Sequence, residues 1–198
     1  MPNYKSTIKA RSFLYLEMKK ASSLYLQGFS IDEIKQKALE DNIFLLKTQN
    51  RIKEIASTIE DRMRVLDNFL ISKIAQGNLE TSKQITLYSI LKTDRLFFEF
   101  MQEVYREKYL LMDNMITSKD FSIFFQRKAE QSRRVASWKD YTYYKLEQVY
   151  KRILLEAGYA IKNKTNIEIT RPIMEKDIID HLKGKGDDFY IKAMLGEI

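Results

Sequence analysis

The chain has 198 residues, a formal charge of +7, 44% apolar residues, no cysteine and one histidine, His181. That length suits one domain or two small ones and leaves enough apolar residues for a packed core. The missing cysteines exclude a disulfide framework, a thiolate metal site and a Cys nucleophile, and a lone histidine leaves His-based metal sites and triads short of parts.

The longest stretch without a charged side chain, Ala21–Ile31, is eleven residues long. Spanning a bilayer takes roughly 18 or more. The first residues also lack the apolar core of a secretory signal, so a soluble, cytoplasmic protein is expected. Helical periodicity dominates, because six Gly and two Pro offer few breaks. A first helix is predicted from about Lys9 to Gln27, stopped by Gly28. Ser30 and Glu33 have capping-box spacing and open a second helix that runs to about Asp41. The pair makes a helix-turn-helix-like start. From Thr48, Ile52, Ile55, Ile59, Met63, Leu66, Leu70 and Ile74 form one apolar stripe on a long helix, broken near Leu66–Asp67 and ended by Gly77 and Asn78. A helix over about Glu80–Lys92 follows. Thr93 or Asp94 caps the next, whose Leu96, Phe97, Phe100, Met101, Val104 and Tyr105 read as central core.

Around Asp113–Lys119 the apolar pattern lapses, and the chain is divided there into residues 1–115 and 116–198. A helix over Ser118–Ser132, a basic turn at Arg133–Arg134 and a long helix over Ser137–Ala157 are predicted next. Gly158 stops the long helix. Two short β runs follow, Tyr159–Lys162 and Asn166–Thr170, in the second of which Ile167 and Ile169 alternate with Glu168. One or two short helices, around Met174–Leu182 and Asp188–Leu195, close the chain. The fold class is mainly α: a multi-helix N-terminal domain and a C-terminal winged-helix-like domain with a short β-hairpin.

Charge is concentrated in the same C-terminal part. Residues 127–171 hold eleven Lys or Arg against five Asp or Glu, while residues 1–26 hold five against one. Segregated positive charge creates a directional field and suits phosphate neutralisation. On a helical wheel of the long helix, Trp138, Leu146, Val149 and Ile153 fall on one side and Tyr141, Tyr144, Lys145, Gln148, Lys151 and Arg152 on the other. In a DNA groove, Lys145 and Arg152 suit guanine edges or phosphates, Gln148 an adenine edge, and the tyrosine hydroxyls phosphates. The same set also suits an ordinary solvated face. Arg127, Lys128, Arg133, Arg134 and Lys139 lead into this helix, and Lys162 and Lys164 sit at the hairpin tip, so all of these are candidate DNA contacts. Lys5, Lys9, Arg11, Lys19 and Lys20 form a possible second basic surface or flexible arm. Enzymatic readings lack parts. There is no Gly-rich phosphate loop, and Glu40–Asp41, Glu60–Asp61 and Asp187–Asp188 are sequence neighbours that point apart on a helix. No catalytic residue, cofactor or metal is expected.

An ordered set of residues resembles the BrxA family of bacteriophage exclusion (BREX) defence systems. It comprises Phe13–Glu17, Leu26–Ile34, Asp41–Thr48, Arg62 with Leu66, Leu87–Leu91, Arg95–Met101 with Glu103 and Val104, Trp138, Lys145 with Leu146, and Leu154–Gly158. The resemblance covers roughly residues 10–170. It implies a cytosolic, helical protein that binds double-stranded DNA, with some likeness to the antitermination factor NusB, working beside the ATPase, methyltransferase and phosphatase-like components of such a system. It does not map contact residues one by one. An assembly adaptor whose basic face docks an acidic protein, and an RNA-binding protein, are the alternatives.

Overall fold

The capping box between Ser30 and Glu33 forms as its spacing predicts. Ser30 N donates to Glu33 Oε2 at 2.8 Å, and Glu33 N donates to Ser30 Oγ at 3.2 Å. A computed structural model describes residues 3–197. They form two compact units, Phe13–Thr93 and the described residues on either side of it. The first unit holds α1 (Tyr15–Leu26), α2 (Ile31–Glu40), α3 (Gln49–Arg64), α4 (Asn68–Gln76) and α5 (Leu79–Thr93). Helix α1 packs on α4, α2 on α3, and α5 against both α3 and α4. The break expected near Leu66–Asp67 is real: Asp67 caps α4 by accepting from Leu70 N at 3.1 Å.

Helix α5 is buried nearly all round although it carries several hydroxyls. Three of the buried hydroxyls find a carbonyl within their own turn. Ser82 Oγ donates to Asn78 O at 2.8 Å, Thr86 Oγ1 to Ser82 O at 2.8 Å, and Ser89 Oγ to Thr86 O at 2.7 Å. Back-bonding of this kind lets a polar helix sit in a core without orphan donors.

The start of the chain departs from its periodicity. One helix over Lys9–Gln27 is replaced by a 3-10 turn at Thr7–Ala10 and the separate α1, with Leu14 between them at φ 55. Burial explains the break. Phe13 and Leu14 are both inside, and the Phe13 carbonyl accepts from Arg62 Nη1 at 2.7 Å, with Arg62 itself 2% exposed. Removing that guanidinium orphans a buried carbonyl, which costs about 1–3 kcal/mol, and opens a cavity besides. Arg62→Ala should therefore lower the urea midpoint of unfolding by roughly 3 kcal/mol equivalent. An unchanged midpoint would show that the bond contributes nothing.

In the second unit, α6 (Arg95–Phe100), a π-helical turn (Met101–Tyr105) and α7 (Arg106–Leu110) run on as one rod. Then come β1 (Met115–Ile116), α8 (Ser118–Gln131), α9 (Arg133–Ala136), α10 (Asp140–Ala157), β2 (Ala160–Asn163), β3 (Asn166–Ile169), α11 (Lys176–Gly184) and α12 (Asp188–Leu195). The three strands form an antiparallel sheet in the order β1-β3-β2, with Ile116 opposite Ile167 and Ala160 opposite Ile169. The division expected at residues 115–116 falls inside this unit. There Phe97 and Phe100 of α6 pack with Phe121 of α8 and Tyr150 of α10; the Phe100–Phe121 and Phe97–Tyr150 centroids are each 4.7 Å apart. The long helix starts at Asp140 rather than Ser137. Ser137 Oγ donates instead to Arg134 O at 2.8 Å, closing the short α9 that stands where a basic turn was expected.

Candidate nucleic-acid interface

Helix α10 sorts its residues as the wheel requires. Leu146, Val149, Tyr150, Ile153, Leu154 and Ala157 are buried, while Tyr141, Tyr144, Gln148 and Arg152 are exposed. Trp138 is half-buried beside Tyr143, whose hydroxyl donates to Val135 O at 2.6 Å. Lys145 is also half-buried. Its ammonium lies 5.3 Å from the Tyr141 ring centroid and 6.0 Å from that of Tyr144, a cation–π geometry.

The helix ends in a Schellman motif. Gly158 takes φ 80, Tyr159 N donates to Leu154 O at 2.8 Å and Gly158 N to Leu155 O at 3.2 Å. This turn sends the chain straight into β2. Tyr105 then clamps the hairpin base, its hydroxyl 3.0 Å from both Tyr159 O and Thr170 O. Burial pushes the Tyr105 hydroxyl pKa far up, so it remains a donor at any working pH.

Between α10 and the hairpin lies a groove of about 580 Å³. Tyr144, Gln148, Lys151 and Arg152 line it from the helix, and Lys162 and Lys164 from the hairpin. Six side chains singled out by charge and helix phase therefore meet in one place. Lys151 is the odd one among them. Its Nζ donates to Glu147 Oε1 at 2.7 Å, to Thr165 O at 3.1 Å and to Ser118 Oγ at 3.3 Å, bracing the helix against the hairpin tip. Ser118 and Thr165 were not singled out as site residues. Only the folded arrangement joins them to Lys151. Lys164, at the tip, has φ 54, a backbone region that side chains other than Gly, Asn and Asp seldom occupy.

The other candidates scatter. Arg133, Arg134 and Lys139 are exposed just before α10. Arg127 is exposed but lines a separate mixed-charge depression with Glu103, Glu107 and Lys108. Lys128 must be withdrawn from the surface set: it is 3% exposed, with its Nζ 2.6 Å from Glu99 Oε2 and bonded to Glu103 as well. A charge held this way inside the fold is not available to a phosphate. Lys5, Lys9 and Arg11 belong to the same unit as the groove, whereas Lys19 and Lys20 belong to the other. Lys20 Nζ donates to Ile43 O at 2.6 Å. The arm reading also changes, because Tyr4 and Ile8 are buried and the 3-10 turn packs on α10.

Among the described residues, no group of three or more His, Asp and Glu is arranged to hold a metal ion. No helix among the described residues is long and apolar enough to cross a membrane.

Three comparisons bear on this geometry. The model of the family described as BrxA matches residues 2–186. A protein from Bacillus cereus (strain H3081.97), named BREX protein BrxA, is 53% identical over 194 residues, covering 98% of this chain and 97% of its own length. The crystal structure of an uncharacterized protein from Magnetospirillum magneticum superposes with a TM-score of 0.83, over 99% of this chain and 100% of that one, at 21% identity. At that identity the likeness speaks for the fold alone.

Proposed function

The chain belongs to the BrxA family, and from that premise we propose that it is the non-catalytic, duplex-DNA-binding component of a BREX phage-defence system, acting beside that system's other proteins in the cytoplasm. The observation that carries the DNA reading is the groove in which Arg152, Lys162 and Lys164 flank Gln148 and Tyr144. The order β1, α8, α9, α10, β2, β3 around a sheet with strand order β1-β3-β2 supports a winged helix-turn-helix reading, with α9 in the turn, α10 as recognition helix and the hairpin as wing. In this reading Arg152, Lys162, Lys164, Lys145, Arg133, Arg134 and Lys139 neutralise phosphates. Gln148 is the residue suited to an adenine edge, and Arg152 can reach either a base or a phosphate.

A fluorescence-anisotropy titration with duplex DNA at several salt concentrations tests this. Seven phosphate contacts predict a log–log salt slope of about −6, from roughly −0.9 per contact. Absence of binding at about 50 mM salt, where such contacts are strongest, would end the DNA reading in favour of a protein adaptor. Tighter binding to RNA or to single strands in the same titration would redirect it to those ligands.

A further inference from the structure

A third concavity, of about 380 Å³, opens where α8 and α10 diverge. Helix α8 contributes Ser122, Phe125 and Ala129 to its wall; α10 contributes Asp140, Tyr143, Tyr144 and Glu147. Both helices supply residues at spacings of three and four, so this is a cleft between two helix ridges. The small side chains of Ser122 and Ala129 leave it empty of protein atoms. Its volume is at the low end of small-ligand sites, the size for one planar group rather than a peptide.

Two features say what would fill it. The walls are aromatic, from Phe125, Tyr143 and Tyr144, and the charged groups lining it, Asp140 and Glu147, are both acidic. A phosphate is repelled from such a place, whereas a flat ring with amino donors is welcomed. The cleft also shares Tyr144 and Glu147 with the basic groove. A nucleotide whose phosphates lie along Arg152 and the hairpin lysines can therefore deliver its base across Tyr144 into the cleft.

We propose that this cleft is a pocket for one unstacked nucleobase, adenine or cytosine, stacked on its aromatic wall with its exocyclic amine toward Asp140. The proposal rests on the DNA reading and adds to it a preference for duplex containing an unpaired base. Glu147 Oε1 already accepts from Lys151 at 2.7 Å and from Ser118 Oγ at 2.6 Å, which ties that side chain to the groove, while Asp140, about two turns away on α10 and exposed, is the carboxylate placed to read the base.

The test compares a fully paired duplex with the same duplex carrying one unpaired adenine, by anisotropy, and then repeats the second with purine, which lacks the exocyclic amine, at the unpaired site. The unpaired adenine should bind about tenfold tighter, as expected of one base stacked on an aromatic side chain, and purine should lose part of that gain. Ala129→Leu, which fills the cleft, should remove the preference while leaving affinity for the paired duplex unchanged. Ser122→Leu, at the exposed rim, serves the same purpose should Ala129→Leu fold poorly. Equal affinity for the two duplexes, or a preference that survives both fillings, overturns the pocket while leaving the DNA reading standing. Failure of both duplexes to bind overturns the two together.

Discussion

Exchanging Arg152→Ala, Lys162→Ala and Lys164→Asn together is expected to weaken duplex binding roughly 500-fold at about 0.1 M salt and to flatten the log–log salt slope by about 2.7. Each phosphate contact gains roughly 0.9 log units per tenfold fall in salt, so three lost contacts account for both figures when the count starts near 1 M, where the effect vanishes. Asparagine is chosen at Lys164 because φ is 54 there, a conformation that asparagine tolerates and alanine does not. The charge is thus removed without loosening the hairpin. Gln148→Ala should behave differently. Losing a base-edge contact costs about 1–3 kcal/mol on the preferred sequence while leaving the salt slope in place. A triple variant that keeps the parent slope would move the interface away from this groove.

The outward face of α10 and the hairpin tip were legible because helix phase and turn chemistry are local properties. A 100° repeat sorts Leu146 from Gln148, and Asn and Lys at a hairpin tip need no tertiary partner to be exposed. The Ser30 cap, the Asp67 break and the Gly158 stop were readable for the same reason. Three features were hidden because they depend on distant residues. The strand Met115–Ile116 is too short for any periodicity and exists only through its pairing with Ile167 and Glu168. The start of α1 is held by Arg62, far along the chain, reaching the Phe13 carbonyl. Lys128 stands among surface-seeking cations in the sequence, yet Glu99 and Glu103 draw it into the core. The groove's brace was hidden similarly, since Ser118, Lys151 and Thr165 meet only once β3 folds back beside α10.

The largest loss of stability is expected at that buried lysine. Glu99, 7% exposed, accepts from Lys128 Nζ at 2.6 Å, from Tyr4 Oη at 2.8 Å and from Arg95 Nε at 2.7 Å. Lys128→Met keeps most of the volume and removes the charge, leaving a buried carboxylate short of a partner. Breaking a buried pair from one side costs about 3–5 kcal/mol. The double variant Lys128→Met with Glu99→Gln should recover part of that loss, because neither buried charge is then stranded and Arg95 still reaches water. The acid limb of stability supplies the second readout. Burial pushes the Glu99 carboxyl pKa up, but hydrogen bonds from Lys128, Arg95 and Tyr4 outweigh it, and the net shift is downward. A depressed carboxyl stabilises the fold fully above its unfolded value, about 4.3, and that contribution is lost as pH falls through the folded value. In Lys128→Met the largest of the three opposing bonds is gone while burial remains, so the loss should begin at higher pH. Urea midpoints measured from about pH 7 down to about pH 3 should therefore fall earlier for Lys128→Met than for the parent chain, and more gently for Glu99→Gln. Superimposable acid limbs for all three would mean that the Glu99–Lys128 pair does not set the acid stability of this unit.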